Sequence, residues 1–113
     1  FTDCDGRPPE QLEHDMKLWW VHDEALIATL YAYGITGEQK YFDWFKKVHD
    51  FAFGHFTDHE FGEWYGYLHR DNTVSHTQKG SMWKGPFHYP RMLMLMDKLL
   101  GMIADGKPME PIL

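Results

Sequence analysis

The chain has 113 residues, 43% of them hydrophobic, enough for the modest core of a single domain. Eleven basic against 17 acidic residues give a formal charge of -6, with no Lys/Arg cluster to track a phosphate backbone, which argues against nucleic acid as a partner. No apolar stretch approaches the roughly 20 residues of a membrane span, and the first residues lack the charged-then-apolar pattern of a secretory leader.

The amino terminus, "FTDCDGRPPEQ", has no Met, a turn-forming Asp5-Gly6 and the Pro8-Pro9 pair, so it reads as a start partway through a longer protein. Its lone cysteine, Cys4, has no internal disulfide partner and fits a reducing cytoplasm as a spectator thiol in a loop. The aromatic content, 17% with five Trp, exceeds what a small core requires and points to a surface on which a sugar or another ring could stack.

The periodicity predicts three helices and one β-hairpin, an all-α fold with a single inserted β element. The first helix, about 19 to 33, places Leu26, Ile27, Leu30 and Tyr31 on one face and stops at Gly34. The second, about 38 to 56, repeats Tyr41, Phe45, Val48, Ala52 and Phe56 at threes and fours. The tight Thr36-Gly37 link makes the two an antiparallel helical hairpin. The period then changes to two: "EWYGYLH" alternates Trp64, Gly66 and Leu68 against Tyr65, Tyr67 and His69, and "RDNT" turns the chain into a second arm, "VSHTQ". The third helix, about 89 to 104, is apolar nearly all round from Met92 to Met96, more than two other helices can cover. The tail, "DGKPMEPIL", is expected to lie over the body.

Two clusters could carry chemistry. His22 and Glu24, two residues apart, lie about 200° apart on a regular helix and can face one site only if the helix begins near Asp23, a suitable N-cap. Otherwise Glu24 complements the helix end and His22 bonds locally. In "WKGPFHYPR", residues 83 to 91, Gly85-Pro86 forces an extended approach and Pro90 suits a first helical turn, leaving His88 at the junction. A histidine with one nitrogen tied and the other free is what a proton-transfer base requires; a core histidine satisfied by backbone is the equal alternative. His55 and His59, i and i+4 with Asp58 beside them, lack a second pair to complete a metal site, and no metal is expected.

"MKLWWVHDEALIA", "GEWYGYL" and "KGPFHYPRMLM" together resemble, in order and spacing, the carboxy-terminal part of the N-acylglucosamine 2-epimerase family, which includes renin-binding protein. The resemblance covers nearly the whole chain. It implies that residues 1–113 form the carboxy-terminal portion of one (α/α)6-barrel domain, twelve helices in two rings. It implies an isomerase that interconverts N-acetylglucosamine and N-acetylmannosamine by removing the C2 proton of the open-chain sugar and returning one to the opposite face. One catalytic histidine falls on His88; the second, and an essential arginine, fall upstream of this chain. Glu24 would orient a histidine and His22 would bond sugar hydroxyls, with Trp19, Trp20, Trp64 and Arg91 as substrate-binding residues. No cofactor is required, ATP is an activator in some members, and the full-length protein would be a cytoplasmic homodimer, the fragment alone being inactive. Cellobiose 2-epimerases and aldose-ketose isomerases share the scaffold, but the former carry Gln at the position of His22, so this chain sides with the acylhexosamine branch. A non-catalytic helical module that binds sugar or protein is the reading from another class.

Overall fold

The computed structural model describes Gly6 and residues 12–109; Cys4 and the chain beyond 109 lie outside the described residues. A single 3-10 turn, Leu12–Asp15, leads into strand β1, Lys17–Leu18, and directly into helix α1, Trp19–Thr36. Helix α2, Gln39–His55, strand β2, Tyr67–Leu68, and helix α3, His88–Ala104, complete the order. Helix α1 is the central element, packed against both α2 and α3.

Helix α1 begins at Trp19, not at Asp23. Leu18 occupies the N-cap and makes no side-chain cap bond. The cap is unnecessary because the Trp19 N–H, one of the four left without a partner in any helix, donates to Gly66 O at 3.0 Å. The β1–β2 pairing, Lys17 opposite Leu68 and Leu18 opposite Tyr67, delivers the chain to that point. Asp23 therefore lies a full turn inside the helix, on the buried face with Trp19, Leu26, Ile27 and Leu30.

The stop also falls later than the sequence suggests. Gly34 is within the helix, and Gly37, at φ 68°, ends it in the left-handed conformation with its N–H on Tyr33 O. Gly34 serves a close approach instead: a Cβ there would stand 1.7 Å from Met109 Cε, so the tail lies across this turn. Gly37 and Glu38 form the short link to α2, whose Phe45 and Ala52, with Phe56 at its end, are buried as the period of three and four requires.

The inserted hairpin is present in short form. His69 N–H donates to Thr73 O and Ser75 N–H to Tyr67 O, and Leu68 bridges Val74. The second arm goes no further, and β2 pairs with β1 along its other edge. Trp64, Gly66 and Leu68 are buried as the alternation indicates, but Tyr67, assigned to the other face, is buried as well, where the Trp19 ring meets it edge-on. Trp64 stacks on Phe56, meets Phe53 edge-on and touches Tyr89, so the hairpin, the end of α2 and the start of α3 share one aromatic cluster.

Helix α3 buries Met92, Met96 and Leu99 and leaves Leu93, Met94 and Leu100 exposed. Among the described helices α3 packs chiefly on α1, and one such neighbour leaves part of its apolar surface uncovered, as expected of a helix apolar nearly all round. Asp58, weighed as a metal ligand, caps the turn after α2 through the Glu60 and Phe61 N–H groups and pairs with Lys79. Gly37→Ala should lower stability by about 1 kcal/mol, seen as a lower urea midpoint, because only glycine takes the left-handed conformation without a Cβ penalty. Gly37→Asn should cost less.

Candidate active site

His88 is the first residue of α3, and Pro90, in the same turn, has no N–H to leave unbonded there. Its ring Nδ1 lies 2.9 Å from Glu24 Oε1 on α1. Arg91, three residues on and so on the same helix face, donates from Nη1 to that same oxygen. One carboxylate oxygen thus joins the start of α3 to the second turn of α1. All three side chains are partly exposed, between 29% and 36%, so the cluster borders solvent and is open to a ligand.

Aromatic rings border the pair. Trp20, one turn before Glu24, is 40% exposed and its ring centroid lies 5.8 Å from that of His88. Phe87 meets His88 edge-on and carries the Arg91 guanidinium over its face. With Nδ1 against a carboxylate, Nδ1 is the nitrogen that donates, and in the neutral ring the lone pair is then on Nε2. That is the form of imidazole able to abstract a proton.

Other expected residues are placed elsewhere. A regular helix from Trp19 turns His22 away from Glu24; its Nδ1 bonds Leu18 O at 2.7 Å and its ring packs on Phe51 and Phe56. Burial holds the His22 pKa below the ordinary histidine value, against the upward pull of the Leu18 carbonyl, and Lys17 lowers it further. Trp19 is buried edge-on to Tyr67, and Trp64 has no exposed surface, so the substrate contact expected of Trp64 gives way to packing. Arg91 is at the site, with one guanidinium nitrogen committed to Glu24.

Four residues near the pair, Lys84, Glu63, Asp23 and Trp83, were given no part in the site by the sequence. Lys84, buried, bonds both oxygens of Glu63 at 2.7 and 2.9 Å. Asp23 is fully buried and neither carboxylate oxygen has a hydrogen-bond partner among the described residues. Burial raises its pKa to about 7; Lys84 pulls it down, while Glu24 and Glu63 push it up. Trp83, 74% exposed, lines with Trp19, Trp20 and Tyr67 a cavity of about 330 Å³. An exposed ring in "WKGPFH" with no place in any apolar period was the available signal for Trp83; for Lys84 and Glu63 there was none.

A family model described as N-acylglucosamine 2-epimerase (GlcNAc 2-epimerase) matches residues 1–88 and so ends on His88. The chain belongs to this family. It is 46% identical over 112 residues to the N-acylglucosamine 2-epimerase of Mus musculus, covering 99% of this chain and 27% of that protein. The Bos taurus N-acylglucosamine 2-epimerase is 48% identical over 100 residues, 88% of this chain and 24% of its own length. The solved structure of cellobiose 2-epimerase from Spirochaeta thermophila matches with a TM-score of 0.67 and 31% identity over 78% of this chain and 23% of that one. The chain spans about a quarter of the length of the relatives it matches. The expected fold class, three helices with a short strand pair as part of an (α/α)6 barrel, agrees with this match.

Asp23 makes stability depend on pH in a stated direction. Below about pH 4 the carboxyl is protonated in folded and unfolded chains alike and adds no ionisation penalty. Between about pH 4 and 7 the unfolded chain ionises while the folded one keeps its proton, and the penalty grows as pH rises, to about 4 kcal/mol at most above 7. Asp23→Asn in the intact protein should therefore gain stability over the wild type from pH 4 to pH 8, a difference that thermal unfolding across that range would measure.

Proposed function

We propose that this chain carries one of the two acid/base groups of a sugar 2-epimerase that interconverts N-acetylglucosamine and N-acetylmannosamine. The observation that carries the reading is the contact of His88 Nδ1 with Glu24 Oε1 at 2.9 Å, beside the partly exposed Trp20. The chain would form the carboxy-terminal part of a longer barrel, and the second base would come from outside it. Identities of 46% and 48% to two N-acylglucosamine 2-epimerases support the acylhexosamine branch over the cellobiose branch.

In this proposal His88 Nε2 takes the C2 proton of the open-chain sugar, which is weakly acidic because it is alpha to the aldehyde. Glu24 accepts the Nδ1–H, holds the ring and stabilises the imidazolium as it forms. Arg91, on the same Glu24 oxygen, holds that carboxylate in place, and its remaining N–H groups are donors for sugar hydroxyls. Inversion at C2 needs a proton delivered to the opposite face, hence the second group. Trp20 offers a ring for the apolar face of the sugar. His22 has no part in this proposal, since its ring lies against Phe51 and Phe56, on the side of α1 away from the Glu24–His88 pair.

The same reading has the full-length protein act as a cytoplasmic homodimer with no required cofactor and with ATP as an activator, on the strength of the family resemblance. No helix among the described residues is long and apolar enough to cross a membrane. The test is proton exchange. The intact protein incubated with N-acetylmannosamine in D2O should lose the C2–H signal as N-acetylglucosamine appears. His88→Asn should lower kcat by about 100-fold or more, and Glu24→Gln by about 10-fold or more. Exchange with cellobiose and not with the acylhexosamines would move the assignment to the cellobiose branch; no exchange with either would remove epimerase chemistry.

A further inference from the structure

The segment that delivers His88 has little regular structure to hold it. Between Gly80 and Phe87, Gly85, Pro86 and Phe87 are exposed, and so are Met82 and Trp83. Ser81 Oγ accepts from the Trp83 and Lys84 N–H groups in a local turn, and Ser81 N–H donates to Lys84 O. The one buried side chain of the stretch is Lys84, four residues before His88. Its stem lies over Gly66, where an added Cβ would come within 2.9 Å of Lys84 Cδ and 3.4 Å of the Trp19 ring. Gly66 O is also the acceptor that fixes the start of α1.

A methionine or leucine could fill the same volume without the cost of burying an ammonium group. What the charge adds is direction. The Nζ reaches both oxygens of Glu63, a residue held at φ 65°, itself uncommon for a side-chain-bearing residue. Lys84 thereby docks the His88-bearing segment on the floor from which α1, the carrier of Glu24, begins. Pro86 stiffens the short link between anchor and base. Asp23, the immediate neighbour of Glu24, is buried within the field of the same ammonium group.

We propose that Lys84, tethered by Glu63, is a positioning residue that sets His88 against Glu24, an inference that rests on the acid/base reading of His88. The groups facing the Lys84 ammonium are Glu63 from the hairpin, Asp23 from α1 and the Tyr89 ring from α3.

The test compares Lys84→Met, which keeps the stem and removes the charge, with Lys84→Arg and Glu63→Gln in the intact protein. Lys84→Met should reduce kcat for acylhexosamine epimerisation by about 10-fold or more with KM changed by less than about 3-fold, since a displaced base costs rate before it costs binding. Lys84→Arg should restore most of the loss, and Glu63→Gln should fall between. The direct readout is the His88 ring by 15N NMR, where loss of the Glu24 contact would shift the Nδ1/Nε2 tautomer signals in Lys84→Met. Wild-type His88 signals and wild-type kcat in a folded Lys84→Met protein would overturn the proposal. Should that variant not fold, the same two readouts on Glu63→Gln decide. If His88→Asn retains full turnover, the acid/base reading fails by itself, and the NMR comparison still judges the tether.

Discussion

The bond from the Trp19 N–H to Gly66 O determines where α1 starts, and with it the phase of the helix on which the candidate site depends. Each residue of a helix is turned about 100° from the last, so three consecutive residues here face three environments. His22 meets the rings of α2, Asp23 is sealed inside, and Glu24 reaches α3. A start one residue later would rotate all three. The two-residue strand pair ahead of α1 is short, yet it sets this register, and Gly66 is required there because Lys84 and Trp19 occupy the space a Cβ would need.

Charge is distributed around that axis with an apparent purpose. Glu24 receives His88 and Arg91 on one oxygen, so the carboxylate that orients the base is itself compensated by a cation. Behind it, Lys84 and Glu63 form a pair with the ammonium buried and the carboxylate partly exposed. Asp23 completes the group as a buried carboxyl with neither oxygen bonded among the described residues, an arrangement that costs stability and that packing alone would not favour. Such costs are commonly tolerated near sites that do chemistry.

The exposed apolar side chains of α3 and the family relationship agree in one respect. Leu93, Met94 and Leu100 are exposed, while the chain spans about a quarter of its relatives' length. Among the described residues, α1 packs along one side of α3 and the side chains on another stay exposed.

Helix extents were legible in the sequence because they follow from local period and from breakers: α2 and α3 begin and end within a residue of expectation. The contact of His88 with Glu24 was foreshadowed by the three motifs, whose order and spacing carry the family resemblance. The stop of α1 was misread because Gly34 and Gly37 look alike as breakers, and only the Met109 contact distinguishes a glycine needed for space from one needed for its φ. Asp23 looked like a cap because its residue type suits one, and the strand pairing that makes a cap unnecessary joins residues some fifty positions apart. Trp19 and Trp64 were expected to bind substrate and are buried here, Trp19 still edging a cavity, since burial depends on what arrives from elsewhere in the chain. Local periodicity and turn chemistry act over a few residues and can be read from sequence; the phase of α1, the burial of Asp23 and the Lys84–Glu63 tether arise from distant segments meeting, and only the tertiary structure decides them.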